Sequence, residues 1–535
     1  MKKKSTLVLL LAAMVFAVCG CNNSGGSPSS EGPSAPSGSG SSQVSNPSSS
    51  AEPSGGDNGP VTITVFKSGT RPMNEKTDAV RAYIAEEIGV DIEMNQVAEN
   101  ANQQLALMIT SGEMPDLMLI AYNTYLDYAK QGAFTDISGD LDNYPNLKGY
   151  ADGLWENLAV DGQIFGAPSL LDFPTMHVTA VREDWLKNLG LKSPETIDDW
   201  TEVLHAFTFD DPDKNGQDDT YGFCGAGFTY LDPIMGAFGA TSDQFYFLND
   251  DNTITTNAIS EEYKAALSYL RDRYAEGVID PEVFTATGDQ VYQKWCRGQF
   301  GLWTAWWSHP GNAYLRYGFG ELQPDAAVDI IYAPTGPDGL KGNLYAAPFD
   351  SIAALSGSLT PEKKEAALRF LDYQCTREGF YTVMYGIKDV DYETDGDGLV
   401  TWTWGHEGKD RLGNEVTDME VYKLLFQEPW QRYADSFNDS PANRMYTLST
   451  EVETASTSRE NLFAFCLTDE YLENIAELKK YFEESSIRFI MGEQDIDTEW
   501  EKYKAEYLAM GGEAVRQSQL KMYNENKGTN YTFRE

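Results

Sequence analysis

The stretch Val61-Thr-Ile-Thr-Val-Phe66 opens the folded part of the chain, and its β-branched and apolar residues alternate as they do in a strand. Apolar residues between Glu75 and Ile88 have helical spacing, and Val90-Asp-Ile-Glu-Met94 alternates again. A second helix is predicted from Asn102 to Ile109, and Leu117-Met-Leu-Ile120 is typical of a buried strand. This β-α-β alternation predicts an α/β fold, with a mainly parallel sheet covered by helices.

Two loops are expected to contact a ligand. In open α/β sheets the binding crevice lies outside the carboxyl ends of the strands. Those ends correspond to the segments from Lys67 to Arg71 and from Ala121 to Tyr125. The polar candidates in these loops are Arg71, Tyr122 and Asn123.

Residues 1–20 have the layout of an export signal. Lys2, Lys3 and Lys4 precede an apolar run from Leu7 to Val18, which is shorter than the roughly 20 residues that a membrane-spanning helix needs. The tetrapeptide Val18-Cys19-Gly20-Cys21 resembles the bacterial lipobox, which implies a lipid on Cys21 and attachment to the membrane through that lipid alone. An ordinary signal peptide that ends near a cysteine is the alternative.

Composition constrains the rest of the chain. Residues 21–59 are mostly Ser, Gly, Pro and Asn, which predicts a disordered tether. The remainder is longer than one hydrophobic core usually supports, so two lobes are expected. With 82 acidic and 40 basic residues, a net charge of −42, the chain is not expected to bind nucleic acid or an anionic membrane surface. Solubility outside the cell is the simpler explanation of this acidity.

Five further motifs occur in the order typical of the family 1 extracellular solute-binding proteins of bacteria. They are Ser111-Gly-Glu-Met-Pro-Asp116, Tyr128 to Asp136, Asp161-Gly-Gln-Ile-Phe-Gly-Ala-Pro168, Arg182-Glu-Asp-Trp-Leu-Lys-Asn-Leu-Gly190, and Tyr385-Gly-Ile387 with Tyr392 and Asp395-Gly396. The chain thus resembles the large lipoproteins of that family, which serve carbohydrate ABC importers in Gram-positive bacteria.

The resemblance implies a two-lobed, type II periplasmic-binding-protein-like fold that closes over its ligand about a hinge. The first lobe would comprise residues 60–172 and 351–390, and the second lobe residues 173–350 and 391–535. Chain crossings are expected near 168–175, near 346–351 and after Tyr385. Asp172, Phe173 and Asp350 at the crossings are therefore candidate ligand contacts.

Residues Asp211 to Asp219 resemble an EF-hand loop. Asp211, Asp213, Asn215 and Asp219 stand at positions 1, 3, 5 and 9, with Gly216 at the sharp turn. The backbone carbonyl of Gln217 would complete the oxygen ligands, but Gly222 replaces the usual glutamate at position 12. We predict a structural Ca²⁺ here. An acidic turn without metal is the alternative.

Tryptophan is concentrated in Trp303-Thr-Ala-Trp306-Trp307. Flat aromatic rings stack on the apolar faces of sugars, so Trp303, Trp306 and Trp307 are candidate ligand contacts. The three rings cannot all face one site, and at least one is expected in the core. Trp404 and Trp430 could add stacking surfaces.

These features predict a monomeric binding protein on the extracellular face of the membrane, which passes an oligosaccharide to importer permease subunits. No GxSxG elbow, P-loop or metal-hydrolase motif indicates catalysis. A glycosidase or lyase remains an alternative, because two carboxylates in a cleft suffice for glycoside hydrolysis. A sensor subunit that presents its ligand to a membrane kinase is a third possibility.

Overall fold

The computed structural model describes residues 59–69, 73–98, 100–171, 177–344, 348–394, 400–402, 420–425, 440–455, 458–459 and 461–534. The predicted signal peptide and tether, with Cys21, lie outside the described residues, as do Arg71, Asp172, Phe173, Trp404 and Trp430. Of Asp350 only the backbone is described.

The described strands are β1 (Val61–Ser68), β2 (Val90–Val97), β3 (Leu117–Ala121), β4 (Gly166–Leu170), β5 (His177–Arg182), β6 (Tyr221–Cys224), β7 (Tyr246–Leu248), β8 (Thr253–Thr256), β9 (Phe300–Trp306), β10 (Val328–Ile331), β11 (Asn343–Leu344), β12 (Phe349–Leu355), β13 (Tyr392–Thr394), β14 (Val400–Trp402), β15 (Ser458–Arg459) and β16 (Thr532–Phe533).

The described α-helices are α1 (Glu75–Ile88), α2 (Ala101–Ser111), α3 (Tyr122–Lys130), α4 (Pro145–Tyr150), α5 (Trp155–Leu158), α6 (Glu183–Leu189), α7 (Ile197–Phe209), α8 (Asp232–Ala237), α9 (Glu261–Glu276), α10 (Gly288–Cys296), α11 (His309–Arg316), α12 (Phe319–Leu322), α13 (Pro361–Gln374), α14 (Arg377–Tyr385), α15 (Pro441–Ala455), α16 (Asp469–Ile490), α17 (Ile496–Tyr507) and α18 (Glu513–Lys527). Among these described helices none is long and apolar enough to cross a bilayer.

The first lobe is built on a five-stranded sheet in the order β2-β1-β3-β12-β4. Strand β1 runs parallel to β2 and β3, as the β-α-β pattern predicts, whereas β12 is antiparallel to β3 and β4. Ile63 and Val65 face the helices α1 and α13, and Phe66 on the opposite face packs with α2 and α3. The lobe is thus a sheet between two helical layers.

The second lobe is built on a four-stranded sheet in the order β10-β5-β9-β6. Only β6 and β9 are parallel in it, whereas β5 runs antiparallel to both β9 and β10. The pattern of apolar residues reports which faces are buried, and it carries no information on the direction of the neighbouring strand. Helices α7, α9, α16 and α17 share the largest core of this lobe.

One described segment lies in a different lobe from the one that the sequence predicts. Residues 391–535 were all expected in the second lobe, yet Val421, Tyr422, Leu424 and Leu425 are buried in the core of the first. The backbone amides of Leu424 and Leu425 donate to the side-chain oxygen of Gln374 in α13, at 2.8 and 3.2 Å. The segment is short and has no periodicity of its own, so only its tertiary contacts reveal where it packs.

A buried carboxyl group lies at the start of α8. Asp232 is 0% exposed, and its Oδ1 accepts a hydrogen bond from the backbone amide of Ser242. Its Oδ2 has no partner among the described residues. Burial raises the pKa of Asp232 to about 7, because the ionised form loses its hydration in the core.

We predict that Asp232→Asn removes a pH dependence of stability. The wild-type carboxyl stays protonated in the fold up to about pH 7, whereas in the unfolded chain it ionises near its ordinary value of 3.8. Its contribution to stability is therefore complete below pH 4 and is lost as the pH rises toward 7. Relative to wild type, the variant should gain up to about 4 kcal/mol of unfolding free energy between pH 4 and pH 8.

Urea denaturation at both pH values measures this difference. Asp127→Asn, which alters an exposed aspartate in α3, is the matched control and should show no such gain. If the unfolding free energies of wild type and Asp232→Asn differ by the same amount at both pH values, Asp232 does not have a raised pKa in the fold.

Candidate functional site

The three neighbouring tryptophans, Trp303 and Trp306 in β9 and Trp307 directly after it, have different environments. Trp303 is 2% exposed and packs against Trp295 and Tyr292 at 5.3 and 5.1 Å between ring centroids. Trp307 is also 2% exposed and packs against Tyr446. Both are core residues in this structure, and we do not propose them as ligand contacts. Trp306, the last residue of β9, is only half-buried.

Trp306 belongs to an aromatic group that the sequence does not reveal. His177, the first residue of β5, pairs with Trp306 across the sheet, and the ring centroids lie 6.5 Å apart. The ring of Tyr230, in the 3₁₀ turn Phe228–Leu231, lies 4.6 Å from that of His177. We call Trp306, His177 and Tyr230 the aromatic platform. No motif marks His177 or Tyr230. The pairing of β5 with β9 brings His177 to Trp306, and the turn Phe228–Leu231 brings Tyr230 to His177.

The platform carries no positive charge at neutral pH. Burial lowers the pKa of His177 to about 4, and the nearby His309 contributes to the same shift. The imidazole is therefore neutral at pH 7, when it can donate one hydrogen bond and accept another. His177 is only 5% exposed, so the accessible surface of the platform comes from the half-buried rings of Trp306 and Tyr230. This uncharged surface suits an apolar face of a ligand better than an anionic group.

At the first lobe, Tyr122 and Asn123 follow β3 directly, at the strand end where they were predicted. The Tyr122 hydroxyl donates to the backbone carbonyl of Asn157, and its half-buried ring packs edge-on against Phe349 at 5.2 Å. Asn123 is exposed, and its side-chain oxygen accepts from the amide of Thr124. Tyr122 is thus fixed by packing, whereas Asn123 presents its amide to solvent.

A charged residue, Lys67, also lies at this edge of the first sheet. It lies near the end of β1, and its ammonium donates to the backbone carbonyl of Lys423 at 2.8 Å. Lys67 belongs to the first sheet, Tyr122 directly follows β3 of that sheet and Trp306 belongs to the second sheet, so the candidates come from both lobes. The contacts predicted for Arg71, Asp172, Phe173, Asp350, Trp404 and Trp430 stay predictions.

The loop from Asp211 to Asp219 has the turn of an EF-hand. The amide of Gly216 donates to Asp211 Oδ2 at 3.0 Å, and Gly216 has a φ of 78°, which favours glycine. The amide group of Asn215 donates to Asp213 Oδ2 at 2.9 Å and to Asp219 Oδ1 at 3.2 Å. The loop is tied to α6 by Asn188, whose amide donates to the carbonyl of Pro212.

Two observations favour a cation at this loop. Asp211 Oδ1 is buried and has no hydrogen-bond partner in the described part of the chain. Burial raises the pKa of Asp213, and the neighbouring carboxylates of Asp219 and Asp211 add to the rise. However, no group of three or more His, Cys, Asp or Glu side chains among the described residues is close enough to hold a metal ion. A cation would have to draw the loop oxygens further together.

Solved structures of other proteins share this fold. The alginate-binding protein AlgQ2, described as being without calcium ion, matches with a TM-score of 0.69 at 20% identity, over 87% of this chain and 98% of that one. The ABC-transporter substrate-binding protein FusA of Streptococcus pneumoniae, as an EF-hand mutant with fructo-nystose, matches with a TM-score of 0.65 at 21% identity, over 87% and 99%. At this identity the likeness shows the fold alone, which is the predicted two-lobed, type II periplasmic-binding-protein-like fold.

Curated relatives match over most of the chain. Lipoprotein LipO of Bacillus subtilis is 26% identical over 65% of this chain and 72% of its own length. The polygalacturonan/rhamnogalacturonan-binding protein YtcQ of the same species is 25% identical over 79% and 83%. The substrate-binding protein FusA of the fructooligosaccharide ABC transporter of S. pneumoniae is 24% identical over 85% and 89%.

The family model for bacterial extracellular solute-binding proteins matches residues 72–379, which is more than half of the chain. That match covers β2, β3, β4 and β12 of the first sheet, the whole of the second sheet, the aromatic platform and the EF-hand-like loop. The chain therefore belongs to the bacterial extracellular solute-binding protein family.

Proposed function

We propose that this protein binds an oligosaccharide between its two lobes and delivers it to the permease subunits of an ABC importer. The observation that carries the proposal is the aromatic platform, in which half-buried Trp306 stands beside neutral His177 and Tyr230. A sugar ring stacks on such a surface, and its hydroxyls require fixed hydrogen-bond partners around it. The names of YtcQ and FusA, which describe carbohydrate binding, support the same ligand class.

The proposal is capture without covalent chemistry, on the extracellular side of the membrane. Similarity to lipoprotein LipO supports a lipid on Cys21, and mass spectrometry of the membrane-extracted protein would detect it. For the lobes we propose the predicted division, with residues 421–425 added to the first. A glycosidase or lyase would differ by releasing product, and a sensor subunit by binding a membrane kinase instead of a permease.

We predict that a soluble fragment of residues 60–535 is stabilised by its oligosaccharide and that Trp306→Ala loses most of this effect. A ligand that binds only the folded state stabilises it by about 2.7 kcal/mol at a hundredfold excess over its dissociation constant. Removal of a central aromatic contact should weaken binding about tenfold or more. Thermal melts against a panel of oligosaccharides, followed by titration calorimetry of each hit, measure both effects.

Trp155→Ala is the matched control, since Trp155 is another half-buried tryptophan but belongs to α5 of the first lobe. Its affinity for the same ligand should equal that of wild type. Equal affinity of Trp306→Ala and wild type would contradict the role of the platform. Cleavage of the oligosaccharide during the titration would contradict the binding function itself.

For the EF-hand-like loop we propose a structural Ca²⁺ held by Asp211, Asp213, Asn215, Asp219 and the backbone carbonyl of Gln217. Support comes from the unpartnered Asp211 Oδ1 and from the raised pKa of Asp213. The EF-hand named for a FusA structure supports it as well. The ion would neutralise the converging carboxylates and hold the loop against α6, without a part in chemistry.

We predict that Ca²⁺ raises the melting temperature of wild type and that Asp213→Asn abolishes this rise. Without metal, burial and the negative charges of Asp219 and Asp211 disfavour the ionised Asp213 carboxylate. In EDTA the variant should therefore melt at the same temperature as wild type or higher. Calorimetric melts with EDTA and with added Ca²⁺ measure the two responses. Asp152→Asn, a change of an exposed aspartate in the first lobe, should retain the full Ca²⁺ response. An equal Ca²⁺ response in wild type and Asp213→Asn would contradict the assignment.

A further inference from the structure

A short segment near the C-terminal helices contacts both lobes. It comprises residues 461–468, between β15 and α16, and we call it the interlobe segment. Phe463 and Cys466 are buried in a cluster with residues of β7, β8 and α18, and α18 shares the main core of the second lobe. Phe465 and Leu467 instead pack against a core of the first lobe. The side chains of the segment are thus divided between the two lobes.

The interlobe segment is fixed to the second lobe by hydrogen bonds and by a buried ring. The backbone amide of Leu462 donates to the carbonyl of Tyr246 in β7 at 2.9 Å. The ring of Phe463, which is 1% exposed, lies 4.7 Å from the ring of Tyr246. The backbone carbonyl of Cys466 accepts from the side-chain amide of Gln519 in α18 at 2.9 Å. These contacts hold the backbone on either side of Phe465 to the second lobe.

Phe465 reaches the first lobe at the start of β12. Its half-buried ring lies 5.3 Å from that of Phe349, the first residue of β12, and 6.1 Å from that of Tyr122 in a nearly perpendicular arrangement. Phe349 follows Pro348, whose carbonyl accepts from the backbone amide of Leu171 at 2.7 Å, directly after β4. Phe465 therefore packs beside the place where the chain passes between the two sheets.

An ion pair also joins the lobes near this place. The ammonium of Lys130 in α3 lies 2.9 Å from a carboxylate oxygen of Asp469 in α16, but the two side chains are 45% and 83% exposed. Ion pairs as exposed as this one contribute little, because water and salt screen the charges. Aromatic rings that pack edge-on or tilted bury apolar area and also attract each other. Phe465 is therefore expected to hold the lobes more firmly than the ion pair does.

We propose that Phe465 is a positioning residue, which restricts the orientation of the two lobes before a ligand binds. A ligand that bridges two freely rotating lobes must stop their rotation, and this loss of freedom weakens its binding. Packing of Phe465 against Phe349 and Tyr122 removes part of that cost in advance. The effect on ligand affinity rests on the proposed oligosaccharide binding, whereas the effect on the lobes does not.

Electron spin resonance distance measurements on residues 60–535 test the effect on the lobes. Spin labels at Glu86→Cys in α1 and Glu202→Cys in α7, two exposed positions, report the distance between the lobes. Cys375→Ser is included because the other three described cysteines are buried. Without ligand, Phe465→Ala should give a broader distance distribution than the same labelled protein with Phe465. Phe465→Leu, which keeps an apolar contact, should give an intermediate width.

Titration calorimetry measures the consequence for the oligosaccharide. Phe465→Ala should bind it about fivefold more weakly than wild type, because fewer molecules have the lobes correctly oriented. Phe284→Ala is the matched control, since the half-buried ring of Phe284 packs against Tyr274 within the second lobe. Its distance distribution and its affinity should equal those of wild type. Melting temperatures verify that each variant is folded, and Phe465→Leu carries the test if Phe465→Ala does not fold.

Three results would overturn the proposal. Distance distributions of equal width with and without Phe465 would show that the contact does not restrict the lobes. Equal broadening by Phe284→Ala would indicate a general loss of packing. Tighter oligosaccharide binding by Phe465→Ala would show that the contact opposes closure. Trp306→Ala should weaken sugar binding without broadening the distances, which separates a failure of this proposal from a failure of the proposed sugar site.

Discussion

The architecture depends on the pairing of β12 between β3 and β4. After the chain has built the second sheet, Phe349–Leu355 returns to the first and forms hydrogen bonds with a strand on either side. Ile352, Ala353, Ala354 and Leu355 are fully buried there. A Cβ on Gly166 of β4 would come within 2.6 Å of the carbonyl oxygen of Ala353, so only glycine permits this close approach. The second sheet is in effect an insertion between β4 and β12, and the helices α15 to α18 join its lobe later in the chain.

The passage of the chain from the first sheet to the second also positions the residues of the candidate site. Strand β5 begins just after the chain has left the first sheet, and its first residue, His177, pairs with Trp306 at the end of β9. The aromatic platform is therefore assembled from the start of β5, the end of β9 and the turn that carries Tyr230. In the first lobe, Tyr122 lies at the corresponding end of β3. The proposed ligand contacts thus come from both lobes, as the proposed closure over a solute requires.

Local sequence patterns predicted the elements that depend on local physics. Strand β1, helix α1 and strand β2 follow from their periodicity. The burial of individual side chains depends instead on tertiary contacts. Periodicity does not predict that α10 covers Trp303 whereas Trp306 is only half-buried, or that the fold buries the carboxyl group of Asp232.

The central claim is that the protein holds an oligosaccharide and leaves it unchanged. Native mass spectrometry of residues 60–535, after incubation with an oligosaccharide that raises the melting temperature, tests both parts of the claim at once. The account predicts a one-to-one complex whose mass is that of the protein plus the intact sugar, and no fragments in solution. A complex that carries only a shortened sugar, or free fragments that accumulate with time, would show that the protein is an enzyme and would contradict the account.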